Sequence, residues 1–441
     1  MSVTRQAHRQ PGTAGWVAAL VSGRVSGMRR AAERPLTSYY LLLGGATMLL
    51  AIGLMMVLSA SSVYSYRVHD SSYHIFLKQL TWVLIGLPAA WLASRMNRRF
   101  LRLLAWPSVV LAVVLLLLTQ TSLGFEVNGN RNWLALGPLT VQPSEIAKLS
   151  IVLWSADVYA RKEKLLGNPW HALIPVAPVV ATISMLVVLQ HDLGTALVLF
   201  AILLGMLWVV GVPARLFGIA LSLVGVVAFY LAASNPERRT RLTSFIDPFK
   251  DFQGAGWQAG HGLLGMSSGG IFGKGLSASQ QKWGNLPEAH TDFIFAVLGE
   301  ELGLIGTLLV LTLFGAIASA AIRLAINTSD PFVRYLTAGA TIWLMSQMMI
   351  NVGMVLALLP VIGIPLPLVS YGGSALVPSM VALGLLVGFA RAEPEAAQAL
   401  RARRGERRNE RRGERRPGGK NPARGAFPGA ISAGSARSRR S

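Results

Sequence analysis

The sequence predicts an all-α, polytopic membrane protein of about ten transmembrane helices, with a large extracytoplasmic loop between the seventh and the eighth. Three observations carry that expectation. Of the 441 residues, 52% are hydrophobic and only 14% are charged, too apolar and too sparsely charged for an ordinary soluble chain of this size. Runs such as SVVLAVVLLLLTQ (108–120) and ALVLFAILLGMLWVVG (196–211) belong to near-uninterrupted apolar stretches, of about the 20 residues that cross about 30 Å of hydrocarbon. Short basic segments between such runs all fall on one face.

The spans follow in order at about 39–61, 75–95, 103–120, 145–161, 171–189, 193–211, 214–233, 293–322, 332–356 and 370–391. An even number of crossings puts both termini on one side. The basic stretches RMNRRFLR (95–102), RKEK (161–164) and the ends of RLAINTSDPFVR (323–334) share that side, which marks it as the cytoplasmic face of the inner (plasma) membrane. Segments 121–144, 234–292 and 357–369 then face outward. A basic tail at 1–37 and an Arg-rich tail at 392–441 flank the membrane domain 38–391, and both are expected to be disordered. They hold much of the net charge of +21, as in RARRGERRNERRGERRPGGK (401–420). Anionic lipid or an acidic protein, and not nucleic acid, is the partner expected there. No cleavable signal peptide is evident, because the apolar run from Tyr39 is too long and further spans follow it. The absence of cysteine excludes disulfides, thiolate catalysis and cysteine-based zinc sites.

Chemistry is then sought in the outward segments. The longest carries Arg238, Arg239, Arg241, Lys250, Lys274 and Lys282, cations suited to a phosphate-bearing substrate. Its glycines, GLLGMSSGGIFGKG (262–275), lack the strand and helix of a dinucleotide fingerprint and form no Walker sequence; they read as flexible loop turns. Seven histidines without an HExxH pair give a histidine metal site little support. No G-x-S-x-G elbow points to a serine hydrolase.

Ionisable groups at a membrane edge are costly, so function is their default explanation. In VQPSEIAKLS (141–150), Glu145 and Lys148 lie on one face of the helix that Pro143 and Ser144 start, as a structural ion pair or as working groups. LPEAHTDFIFAVLGEELGLIG (286–306) sets Glu288, His290 and Asp292 at the head of an apolar run. Thr291 is placed to cap that helix, and Asp292 sits near its first turn, where the positive helix end favours an anion. Glu300 and Glu301, about 12 Å deeper by helical rise, read as packing or gating groups.

Together with QHDLGTAL (190–197) and NVGMVLALLPVIGIPLPLVSYGGSA (351–375), these stretches resemble the SEDS family of shape, elongation, division and sporulation proteins, its cell-division members above all. The resemblance covers about residues 38–391. It implies a peptidoglycan glycosyltransferase that polymerises lipid II, working at the septum with a class B penicillin-binding protein and other divisome proteins. The family's essential aspartate falls on Asp292, its RxxSFxDP arginine on Arg241, its SxQK residues on Ser279, Gln281 and Lys282, and its PSExxK acid and base on Glu145 and Lys148. Glu288 and His290 join these as candidate substrate contacts. Two positions depart from the pattern: His191 stands where proline is usual, and Asn132 where arginine is expected, with Arg131 as a candidate substitute.

The implied reaction needs a base for the attacking 4-hydroxyl and cations for the departing diphosphate. Asp292 is the expected base, and Arg241, Lys282 and Lys148 are the expected cations. No cofactor is called for, with a divalent cation (Mg or Mn) left open as a helper. Inversion from an α-linked donor to a β-linked glycan fits direct displacement. A rod-elongation polymerase shares these motifs. A lipid II flippase would need a polar path through the bilayer, whereas the titratable groups gather toward the outer face. A scaffold acting through its basic tails leaves that gathering unexplained.

Overall fold

The computed structural model describes residues 36–127, 129–137, 139–233, 247–254 and 256–402. Two compact units are present, Met1–Ala396 and Ala397–Ser441. Of the second only 397–402 are described, as helix. The basic tails expected to bind lipid or protein lie almost wholly outside the described residues.

The first unit begins with α1 (Thr37–His69), α2 (His74–Ala93) and α3 (Arg98–Leu118), followed by a small sheet and then α4 (Pro143–Lys162). A short α5 (Pro169–Leu173) leads into α6 (Val176–Leu189), and α7 (Leu193–Val210) and α8 (Ala214–Ala233) follow. After the long outer segment, which holds α9 (Trp257–Gly269), come α10 (Ile294–Asn327), α11 (Pro331–Val355) and α12 (Gly373–Ala392). Among the described residues eight spans are long and apolar enough to cross a membrane, with α5 and α6 counted together. Helices α4 and α8 stand where the other two spans are expected.

Helix α4 differs from its neighbours for a physical reason. It carries Glu145, Lys148 and Asp157 and buries most of its length among other helices, so protein and not lipid surrounds its charges. Close helix contact elsewhere rests on small residues, as is common in membranes. A Cβ at Gly384 or Gly388 of α12 would run into the carbonyl oxygens of Ala90 and Ser94 at the end of α2.

The basic loops gather at one end of the bundle. Arg102 Nε and Arg161 Nε approach the buried carboxylate of Asp157 at 2.7 and 2.8 Å, Arg98 pairs with Asp330 at 2.7 Å, and Arg334 with Glu163 at 3.3 Å. The exposed pairs, Arg98 with Asp330 and Arg334 with Glu163, contribute little individually, whereas the Asp157 carboxylate is buried; together they tie the loops after α2, α4 and α10.

At the opposite end a small sheet is added to the helices. Three strands form an antiparallel sheet, ordered β1 (Gly124–Val127), β2 (Asn130–Leu136) and β3 (Leu139–Val141). Residues 257–269, read as part of a glycine-rich loop, are the helix α9. Its Gly262 and Gly269 sit where a Cβ would meet the Phe293 ring at 3.0 Å and the Gly299 carbonyl. These glycines serve helix packing, and only those from Gly270 onward, with φ of +56°, +79° and +102° at Gly270, Gly273 and Gly275, make turns.

A cysteine introduced at exposed Arg131, in a chain that has none, is expected to react with a membrane-impermeant maleimide in intact cells. One at Ser329, in the basic-loop end, is expected to stay protected until the cells are opened; the reverse pattern would invert the topology.

Candidate active site

Asp292 lies at the mouth of the bundle opposite the basic loops, two residues ahead of α10. The structure revises the local geometry. Glu288 takes a left-handed φ of 55°, and the tight turn it makes accepts the amides of Thr291 (3.1 Å) and Phe293 (3.2 Å) on its carbonyl. Thr291 Oγ1 donates within that turn to Glu288 Oε2 at 2.6 Å. The threonine therefore does not cap the helix, which starts at Ile294 behind Phe293 without a side-chain cap.

The backbone around Asp292 is held from two other elements. Asn351 Nδ2 on α11 donates to the Asp292 carbonyl at 2.8 Å and to that of Ile364 at 2.6 Å. Ser370 Oγ donates to the Thr291 carbonyl at 2.6 Å, and the Tyr371 amide to that of His290 at 2.9 Å. The 357–369 segment thus folds over the aspartate. Gly363, at φ +70°, lies so near that a Cβ there would come 3.3 Å from Asp292 Oδ2. The left-handed conformation favours glycine, and a Cβ would also crowd the carboxylate.

A carboxylate in such a place holds its proton tightly. Burial pushes the Asp292 carboxyl up to about 7, and the neighbouring charges of Glu288 and then Asp192 add to the effect. Burial lowers the His290 imidazole below its ordinary range, against the pull of Glu288; its ring lies between those of Tyr64 (5.4 Å) and Tyr371 (5.5 Å).

Asp192 was not singled out by the sequence. It caps α7 through the Thr195 amide (2.9 Å), and its Oδ2 accepts from Thr195 Oγ1 (2.9 Å), Asn132 Nδ2 (3.0 Å) and Gln142 Nε2 (2.9 Å). It thereby pins the outer sheet to the membrane helices. Alternation along β2 turns Asn132 and Leu134 inward, whereas exposed Arg131 donates to the Thr121 carbonyl at 2.8 Å. Arg131 does not take the place of the absent arginine; Asn132 itself occupies the inward position. At His191 φ is +66° and the amide donates to the Val188 carbonyl at 2.9 Å. Neither feature is open to the proline usual in the family.

The remaining candidates form two further groups. Lys148 and Glu145 pair at 2.7 Å and are 1% and 2% exposed, with Lys148 also donating to Gln347 Oε1 at 3.2 Å. Ser279 Oγ donates to Glu300 Oε2 at 2.6 Å, the Gln281 amide reaches the same oxygen at 3.4 Å, and Lys282 Nζ lies 3.4 Å from Glu301 Oε1. Lys274 adds an ion pair with Glu300 at 2.9 Å. The two glutamates deep in α10 thus anchor the outer loop, in keeping with a packing role. Arg241 lies outside the described residues. No three His, Asp or Glu side chains among the described residues form a group able to hold a metal ion, and Asp192 is already saturated with donors.

The comparisons agree with this architecture. The cell cycle protein family of FtsW, RodA and SpoVE matches residues 40–395. The chain belongs to that family. The probable peptidoglycan glycosyltransferase FtsW of Mycobacterium tuberculosis is 42% identical over 375 residues, covering 85% of this chain and 72% of the relative. Stage V sporulation protein E of Bacillus subtilis is 36% identical over 348 residues, covering 78% and 94%. Among solved structures, the rod shape determining protein RodA of Thermus thermophilus superposes with a TM-score of 0.58 at 30% identity, over 80% of this chain and 97% of that one. A chain from a peptidoglycan synthase complex, described for its coordination of polymerisation and crosslinking, gives 0.64 at 28% identity, over 80% and 97%.

Proposed function

We propose that the chain is a peptidoglycan glycosyltransferase that polymerises lipid II at the division septum, with Asp292 as general base and both termini in the cytoplasm. The observation that carries the reading is a carboxyl group poised near neutrality at the outer mouth of a membrane bundle. A base works best when its pKa lies near the working pH, and an ordinary surface aspartate is far too acidic for that task. In the reaction, Asp292 takes the proton of the acceptor's 4-hydroxyl as the oxygen attacks the donor's anomeric carbon. The bond to the lipid diphosphate breaks on the opposite side, in one displacement.

The cations assigned to the diphosphate are Arg241 and Lys282, with Lys148 as a third. Lys282 is engaged by Glu301 in this structure, so its use requires that partner to release it. Glu288 and His290 line the approach to Asp292 as polar contacts for the sugars. The family membership and the synthase-complex relative support a class B penicillin-binding protein as partner, which would crosslink the glycan.

The test is incubation of purified protein with fluorescent lipid II, with and without the cognate penicillin-binding protein, followed by electrophoresis of the products. Glycan strands that resist penicillin and lysozyme-sensitive product ladders are expected; lipid II left unpolymerised in both arms would overturn the reading. The same assay gives a pH test. With a base titrating at about 7, kcat/KM should rise with pH through that value, since the protonated acid is inactive. Asp192→Asn removes one of the charges that raise the carboxyl, so its profile should move to lower pH. An unchanged midpoint would disconnect Asp192 from the base.

A further inference from the structure

Helix α10 is broken near its outer end, and the break has a purpose. At Gly303 the backbone turns to φ 68°, ψ −164°, so Leu304 and Ile305 cannot donate to Glu300 and Glu301 as an unbroken helix would require. The turn that follows α9 supplies every missing partner. The amides of Leu304 and Ile305 donate to the carbonyls of Gly270 (3.0 Å) and Ile271 (3.2 Å), and those of Lys274 and Gly275 donate to the carbonyls of Glu300 (2.9 Å) and Glu301 (3.0 Å). Residues 270–275 are thus stitched into α10 by four backbone hydrogen bonds.

The depth of the stitch follows from length. The unbroken part of α10 beyond the turn, Leu304 to Asn327, extends about 36 Å at 1.5 Å per residue, against a hydrocarbon layer of about 30 Å, so Leu304 stands at the edge of the apolar layer. Irregular backbone is tolerated at such depth only when protein satisfies its polar groups, and here it does. At the same level the side chains are apolar and open. Phe272 is 81% exposed and Ile271 59%, continuous with the exposed Leu304, Ile305 and Leu308 of α10. In water an exposed Phe-Ile tip would be a liability; beside the lipid-facing surface of a membrane helix it is solvated by acyl chains.

We propose that residues 270–276 form a re-entrant turn whose Ile271–Phe272 tip is embedded in the acyl chains of the leaflet on the Asp292 side. The occupant of the patch is bulk bilayer lipid. The turn fixes the depth of the loop that carries Ser279 and Lys282, through Lys274 on Glu300 and Lys282 on Glu301. This inference does not depend on the reaction that the site performs.

The absence of cysteine makes the test direct. The full-length Phe272→Cys protein is spin-labelled and reconstituted in phosphatidylcholine–phosphatidylglycerol vesicles without lipid II. Collision with oxygen and with a soluble nickel chelate is measured, with labels at Leu308→Cys as the lipid reference and Arg131→Cys as the aqueous one. High oxygen and low nickel accessibility, within about twofold of the Leu308 label, is expected. Nickel accessibility like that of Arg131 would place the tip in water, and shielding from both reagents would place it against protein; either result overturns the proposal. Should Phe272→Cys fail to fold, Ile271→Cys reads the same depth.

Discussion

Asp292→Asn should reduce polymerisation of lipid II by about 10²-fold or more, the usual contribution of a general base, while lipid II binding and detergent-solubilised yield change little. The variant keeps the volume of the side chain and leaves its main chain in place, because Asn351 and Ser370 grip the backbone carbonyls of Asp292 and Thr291 and not the carboxylate. It removes a burdened charge, so the fold is not expected to suffer: burial and two neighbouring carboxylates already oppose ionisation at this position. Strand length on a gel measures the rate, and lipid II retention by the immobilised protein measures binding. An asparagine variant that polymerises at near the native rate would remove Asp292 from the chemistry and direct attention to Glu288. A variant that loses binding as well as rate would make Asp292 a substrate contact and not a base.

The membrane architecture was legible because apolar runs of span length leave few alternatives, and because the arginines of the basic loops gather at one end and pair there with Asp157, Asp330 and Glu163. The head of α10 was legible for its acids but not for its turn. Glu288 in a left-handed conformation could not be read from a residue type that rarely adopts one. The outer sheet was missed because its strands are short and its hairpin signal, the Asn-Gly pair at 128–129, was outweighed by the helical surroundings. Helix α9 was missed because Gly262, Gly265 and Gly269 suggest turns, although their spacing of three and four residues is also the stripe that lets two helix backbones touch. Asp192 and Asn351 escaped notice for a different reason. Each is a single polar group in or beside an apolar span, and its meaning depends on partners 50 or more residues away.

The buried pair on α4 offers the second large effect. Lys148→Met should destabilise the protein by about 3–5 kcal/mol, the usual consequence of removing one partner of a buried ion pair. Glu145 would keep a charge in a position that is 2% exposed, and its Oε2 already has no hydrogen-bond partner. The damage should spread toward the site, since Lys148 holds Gln347, whose Nε2 donates to the Pro365 carbonyl at 3.1 Å and so supports the segment packed over Asp292. Melting of the detergent-solubilised protein, followed by monodispersity on gel filtration, measures the loss. The double variant Glu145→Gln, Lys148→Met removes the orphaned charge and should regain most of the stability, because a neutral pair of similar volume often replaces a buried ion pair at little cost. That double variant also decides what the pair is for. If it is stable and polymerises lipid II, the pair braces the bundle; if it is stable and inactive, Lys148 or Glu145 acts on the substrate, as the resemblance implies. Should Lys148→Met alone melt with the native protein, the pair is not the internal brace that its 2.7 Å contact and its burial indicate.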